Sequence, residues 1–232
     1  MKKEGFIRRF IGTKMFTLLA FLAFLIIVFS AATEGRFIEA TNLRNILQTT
    51  SVIGLIAVGA GALMIAGHID LSAGGVGTMC ALLCAVLLRD GAPWWVGVLV
   101  AVVSGGGVGM FNAFLINRLN FQPFIATLAV AQATEGLAHV LSSSRPIPVK
   151  DKVLRFIGGE RFFKYIPYSV LIVIVAFAVY ALLLNKTRFG RSVYLVGANP
   201  EAARLAGLNP EKLMYILFTN SGALAAIAGI LL

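Results

Sequence analysis

The sequence predicts an all-α, polytopic bundle of membrane-spanning helices, and three observations carry that expectation. Apolar residues make up 59% of the 232-residue chain and charged residues 13%, against about 25% charged in soluble domains. The apolar residues gather into seven stretches, at 15–32, 49–67, 73–88, 94–116, 124–141, 168–184 and 214–232. Most come close to the ~20 residues that cross ~30 Å of hydrocarbon, and the third and sixth are short. No period-two alternation competes with them, as a membrane β-barrel would require. The whole of 1–232 therefore reads as one transmembrane domain, without a soluble domain, a low-complexity linker or a short repeat.

The first stretch follows a basic flank, Lys2, Lys3, Arg8, Arg9 and Lys14. Its apolar core is longer than that of a signal peptide, although Ala31-Ala32-Thr33 loosely resembles a cleavage site, so a retained anchor is expected. The basic flank places the N-terminus in the cytoplasm. Counting crossings from there puts 185–213 inside as well, where Lys186, Arg188, Arg191, Arg204 and Lys212 outnumber Glu201 and Glu211. The link 117–123, with Arg118, also falls inside. The loop 142–167 carries Arg145, Lys150, Lys152, Arg155, Arg161 and Lys164, yet the count places it outside; early spans dominate orientation. The second stretch breaks at Gly67 and the third resumes at Ala73. That link is too short for a relaxed loop, and a break within one helix is the alternative, which would invert everything downstream.

Inside the third stretch, Cys80 and Cys84 lie one helical turn apart. Without histidines or carboxylates beside them they make a poor metal site, and small packing residues are expected instead; they set no redox compartment. In the fourth, Gly105 and Gly109 are four apart and let two helix backbones approach closely. In the fifth, Gln132, Glu135 and His139 share one helical face. That face is expected to point into the bundle, because lipid would reject it, either as a proton relay or as a polar stripe satisfied by neighbouring helices. The net charge of +10 gives no nucleic-acid signature. The cations sit at span ends and in two loops, with neither aromatic interleaving nor zinc-finger spacing.

Two segments carry the functional signal. A carboxylate at the depth of Asp70 costs about 2.5–3.5 kcal/mol on insertion scales, so it must face protein or a watery path. Asp70, Ser72 and His68 can hydrogen-bond a polyol; equally, Asp70 or Ser72 can cap a helix that begins near Ala73. Gln132 and Glu135 are further candidates for a substrate pathway. In the loop 185–213, Asn199 is a good N-cap, Pro200 a good first helical residue, and Glu201 suits the positive end of a helix dipole. Gly207, after Arg204, is a C-terminal stop. The result is a helix of about two turns outside the membrane, whose small residues Ala202 and Ala203 suit docking into a partner's groove.

At this point three motifs, in order, resemble the ribose/xylose-type sugar permeases of bacterial ABC importers. They are Asp70-Leu71-Ser72 with Gly74; Pro123-Phe124-Ile125-Ala126-Thr127-Leu128; and Phe189-Gly190-Arg191 through Gly197, Asn199, Ala202-Ala203-Arg204 and Gly207. The similarity runs from about residue 40 to the end. It departs at Glu135, where such permeases often carry a basic residue. The resemblance implies a monosaccharide (pentose or hexose) importer subunit in the bacterial inner membrane. Its implied partners are a second permease copy, a cytoplasmic ABC ATPase and a periplasmic sugar-binding protein. ATP would be used by the partner: the chain carries no GxxxxGK[ST] phosphate loop, and it is expected to bind no cofactor or metal and to hold no catalytic residue. Gly190, Arg191, Gly197, Asn199, Pro200, Glu201, Ala202, Ala203, Arg204 and Gly207 would shape the ATPase-coupling loop. The resemblance also implies about seven spans of an expected ten, a C-terminally truncated permease whose inverted repeat is incomplete. The rival expectations are a proton-coupled secondary transporter using Glu135 and His139, an intramembrane enzyme pairing Asp70 with Glu135, and a non-transporting membrane fragment.

Overall fold

A computed structural model describes residues 14–159, 161–162 and 166–232. Lys2, Lys3, Arg8 and Arg9, which carry the orientation argument, lie outside the described residues, as does Lys164. Helices occur at α1 (Lys14–Ala32), α2 (Ala40–Ile65), α3 (Ala73–Arg89), α4 (Trp94–Leu119), α5 (Pro123–Ser142), α6 (Lys152–Gly159), α7 (Tyr168–Lys186), α8 (Arg188–Ala198), α9 (Pro200–Leu205) and α10 (Pro210–Ile230). Arg36–Ile38 forms one 3-10 turn, and β1 (Arg161–Phe162) pairs antiparallel with β2 (Ile166–Pro167). The all-α expectation holds. Six helices are 18 residues or longer and apolar enough to cross a membrane, and the third stretch, expected to be short, forms the 17-residue apolar helix α3. The chain is a multi-pass membrane protein.

Two compact units are distinguished, Met1–Leu47 and Gln48–Leu232. In the described part of the first, α1 ends in a tight turn. The Thr33 hydroxyl donates to the Phe29 carbonyl at 2.7 Å and accepts from the Phe37 N–H at 3.0 Å. The rings of Phe29 and Phe37 stack 5.5 Å apart.

In the second unit α10 packs against α4 and α3, and α3 against α5. Small residues set how closely these helices approach. A side chain on Gly105 would strike the Gly222 carbonyl of α10, and one on Gly109 the Phe218 carbonyl; the close approach expected of this pair is there, and its partner is α10. Gly77 of α3 lies against Ala225 and Gly229, and Gly59 of α2 against Ser221. These contacts give directions. Along α10, α4 runs antiparallel and α3 parallel. Val52 and Leu55 of α2 pack with Ala228 and Leu231, while Gly59 lies further back at Ser221, so α2 also runs antiparallel to α10. Thus α2 and α3 form a hairpin and are not one broken helix. Cys80 and Cys84 are buried with Ala101, Ala138, Ala225 and Ala226, in the packing role expected of them.

The loops hold more order than their sequence advertises. The segment 142–167 contains α6 and the β-hairpin, and Gln48 Nε2 donates to the Gly158 carbonyl at 3.0 Å. The loop 185–213 is mostly helical, with the 11-residue α8 preceding the expected short helix.

Candidate functional site

Residues 66–72 join α2 to α3 without helix. The end of α2 is closed locally. Gly67 takes φ +83°, its N–H donates to the Met64 carbonyl at 3.0 Å, and the His68 N–H donates to the Leu63 carbonyl at 2.9 Å. This is the paired closure that a left-handed glycine permits at a helix C-terminus. Beyond it the chain meets three other helices. The turn lies about one helical turn in from the start of α5 at Thr127, about two from the end of α4 at Asn112, and about three from the start of α10 at Ser221. Irregular backbone at such depth is stable only when protein satisfies its polar groups.

Asp70 organises that satisfaction. Its Oδ1 accepts from the Ser72 N–H at 2.9 Å and from the Ser72 hydroxyl at 2.6 Å. Its Oδ2 accepts from the Ser221 hydroxyl of α10 at 2.9 Å. Asn112 of α4 donates from Nδ2 to Ser72 Oγ at 2.8 Å. The Leu71 N–H donates to Thr127 Oγ1 at 3.2 Å, and the Thr127 hydroxyl passes its own proton to the Pro123 carbonyl at 2.8 Å. Ser72, Asn112, Thr127 and Ser221 are buried, Asp70 and His68 half-buried. All three donors to Asp70 are neutral protein groups, and both of its carboxyl oxygens are satisfied from within the chain. His68 Nδ1 and Asn112 Oδ1 are buried without a partner, and the His68 ring sits 6.3 Å from that of Phe218.

The capping expectation is not met, since neither side chain accepts from an N–H of α3. Asp70 serves the N–H of Ser72 itself, and the Ser72 hydroxyl caps nothing in α3 because Asp70 and Asn112 hold it. Asn112 and Ser221 were not expected. Asn112 is one of several polar residues of α4, and Ser221 closes the run Thr219-Asn220-Ser221 in α10, so no local signal singles either out.

Gln132, Glu135 and His139 do share one face of α5, but the expectation that it points into this bundle is corrected. All three are exposed, and the buried face is Ala126, Thr127, Val130, Ala131, Thr134, Ala138 and Ser142. Small residues win the inward side because α3 comes very near: a side chain on Gly75 would strike the Ala131 carbonyl and Thr134 Oγ1 at 2.6 Å. Asp70 and Ser72 are thus brought together by the structure, whereas Gln132 and Glu135 form a separate outer stripe.

The segment 188–207 is built as its residues dictate. Asn199 Oδ1 accepts from the N–H groups of Glu201 and Ala202, both at 3.0 Å, with Pro200 at the first helical position. Gly207, at φ +80°, closes α9 through Gly207 N–H to Arg204 and Leu208 N–H to Ala203, both at 3.0 Å. Arg191, Pro200, Glu201, Ala202 and Arg204 are exposed. Ala203 is fully buried, which corrects its expected availability to a partner's groove; it joins Val193, Val196, Leu63, Ala66, Ala113, Leu213 and Phe218 in one core. Gly190 lies against the Leu183 and Leu184 carbonyls at the end of α7. The residue missed in the sequence is Leu205, 91% exposed on α9. Beside it, a cleft of about 150 Å³ opens between Phe189, Val196, Leu208, Leu213 and Ile216. A larger cavity of about 880 Å³ lies elsewhere, where α6 covers Leu82 and Ala85 of α3. No group of His, Cys, Asp or Glu able to hold a metal ion occurs among the described residues.

Six apolar helices, a polar turn held by α4, α5 and α10, and an exposed helical appendage define a polytopic membrane protein of the transporter class. Residues 42–232 match the model of a family described as branched-chain amino acid transport system / permease component. The chain belongs to that family. It is 37% identical over 216 residues to a probable ABC transporter permease protein, YphD, of Escherichia coli (strain K12), covering 93% of this chain and 64% of that protein. It is 33% identical to the L-arabinose transport system permease protein AraH of the same organism (85% and 60%). It is 30% identical to the ribose import permease protein RbsC of Bacillus subtilis (strain 168) (90% and 65%). The chain therefore spans about three-fifths of the length of the relatives it matches. No solved structure matches it.

Proposed function

We propose that this chain is the transmembrane permease subunit of an ATP-driven importer for a monosaccharide, a pentose or hexose, in the bacterial inner membrane with its N-terminus in the cytoplasm. Its partners are a second permease copy, a cytoplasmic ABC ATPase and a periplasmic sugar-binding protein. ATP is consumed by the ATPase, and this chain binds no cofactor. The observation that carries the reading is one apolar core, shared by Val193, Val196 and Ala203 of α8–α9 with Leu63, Ala66 and Phe218 beside the Asp70 turn. An exposed helix outside the membrane is thereby packed directly onto a polar turn within it. The relatives' printed names, arabinose and ribose permeases, support the substrate class.

In this reading α9 meets the ATPase through Leu205, with Arg191, Glu201, Ala202 and Arg204 around it, while Gly190, Gly197, Asn199, Pro200, Ala203 and Gly207 fix its shape. Sugar passes along the outer face of α5, past Gln132 and Glu135. Lipid would reject these side chains on a spanning helix, so a water-lined path shared with the second copy is the environment that suits them. Asp70, Ser72 and His68 lie on the other side of α5, in the turn whose movement opens and closes that path.

The test is uptake of labelled pentose or hexose by proteoliposomes holding the complete transporter. Uptake that requires ATP and the binding protein supports the proposal. Uptake that survives ATP depletion but collapses with a protonophore would favour the proton-coupled alternative through Glu135 and His139, and no uptake with any partner would favour a non-transporting fragment. Leu205→Asp is expected to weaken ATPase association by about 2 kcal/mol, the worth of one buried leucine, or roughly thirtyfold; unchanged co-purification would remove Leu205 from the interface.

A further inference from the structure

The importer reading leaves open how movement of α9 reaches the turn. The contact that answers this is made by Gly197, near the end of α8. A side chain there would overlap the Ile65 carbonyl and press on Ala66 Cα at 3.2 Å. Ile65 is the last residue of α2, and no backbone N–H of the following turn donates to its carbonyl. The backbone of α8 therefore rests on the bare end of α2, and only glycine allows it. Behind that point Val193 and Val196 interlock with Leu63 and Ala66, all buried. With bare backbone at its rim and four small or branched side chains behind, this contact has no flexible group to absorb a displacement.

The next link is softer. The turn's side chains reach α10 through the Ser221–Asp70 hydrogen bond, a contact between two rotatable side chains. His68 Nδ1 and Asn112 Oδ1, flanking the turn, have unused hydrogen-bonding capacity in this conformation.

We propose that Gly197 and the carbonyl end of α2 form a rigid joint that carries motion of α8–α9 to the 66–72 turn and shifts Asp70 relative to Ser221. Gly197 is a positioning residue within the proposed transport cycle, and the inference rests on the importer reading. It separates Gly197 from the other residues of the coupling segment: its partner is α2, not the ATPase.

The experiment compares Gly197→Ala with Gly107→Ala in the complete transporter. Gly107 is an exposed α4 glycine with open space around it, and its variant is expected to match the wild type. Gly197→Ala is expected to lower sugar taken up per ATP hydrolysed by about tenfold, within the usual range of coupling between sites. If the wild type shows no ATP-dependent uptake, the importer reading itself fails. If the wild type transports and Gly197→Ala keeps its uptake per ATP, the joint alone is overturned. Should Gly197→Ala fail to insert, spin labels on the exposed residues Tyr194, Met64 and Ile216 decide with Gly197 intact. Through the ATP cycle the Tyr194–Met64 distance is expected to stay constant while the Met64–Ile216 distance changes. A changing Tyr194–Met64 distance would overturn the joint.

Discussion

The Asp70 turn and the outer stripe of α5 hold the same kinds of polar side chain within the apolar helices, and they are treated in opposite ways. At the turn, three helices besides α3 each supply a partner: Asn112 from α4, Thr127 from α5 and Ser221 from α10. The carboxyl group of Asp70 accepts three hydrogen bonds, all from within the chain. On α5, Gln132, Glu135 and His139 project away from the packed core. A polar group inside a membrane protein is thus not in itself a pathway marker; the informative question is whether this chain satisfies it. Where the chain does so, the group sets structure. Where it does not, another chain, water or substrate must.

That contrast can be broken or sharpened by substitution. The largest effect is expected from Asp70→Ala, which removes the acceptor for three donors. At about 1 kcal/mol or more for each buried donor stranded, the loss is about 3 kcal/mol, measured as a lower thermal unfolding temperature in detergent; unchanged stability would show that the turn does not depend on its carboxylate. Asn112→Ala takes one donor from Ser72 Oγ, whose own hydrogen bond to Asp70 remains, and removes an oxygen that already has no partner. Its cost is expected at about 1 kcal/mol, clearly smaller than that of Asp70→Ala. The smallest effect on stability, within about 0.5 kcal/mol, is expected from Glu135→Gln, an exposed position. Its uptake is nonetheless expected to fall several-fold, about one hydrogen bond to the passing substrate at ~1 kcal/mol. A variant that unfolds the protein and spares transport would reverse the assignment of the two regions.

The same contrast explains what could be read in advance. The long apolar helices, the Gly105–Gly109 contact and the ends of α9 at Asn199, Pro200 and Gly207 were all legible, because each depends on local composition or on a backbone rule that acts within a few residues. The direction of the α5 stripe was not. Its spacing defines a face, but which face turns inward was decided by Gly75 of α3, a residue distant in sequence. α8 was hidden because Gly190, Gly197 and three valine or tyrosine residues lower its helix propensity; its helix is held by Thr187 as N-cap and by the carbonyls that its glycines lie against. Asn112 and Ser221 follow no periodicity at all, and only the folded α2–α3 hairpin reveals that they meet the same carboxylate.

The most direct measurement is thiol accessibility in sealed membranes holding the complete transporter. Cysteines are placed one at a time at Gln132, Glu135, Ser72 and Leu137, the last an exposed apolar position on α5. The native Cys80 and Cys84, 0% and 3% exposed, leave a low background. A membrane-impermeant thiol reagent is expected to label Gln132→Cys and Glu135→Cys, protected by excess sugar, and to leave Ser72→Cys and Leu137→Cys unreacted. Labelling at Ser72→Cys with none at positions 132 and 135 would contradict the account, placing the watery path through the turn and the α5 stripe against another protein surface.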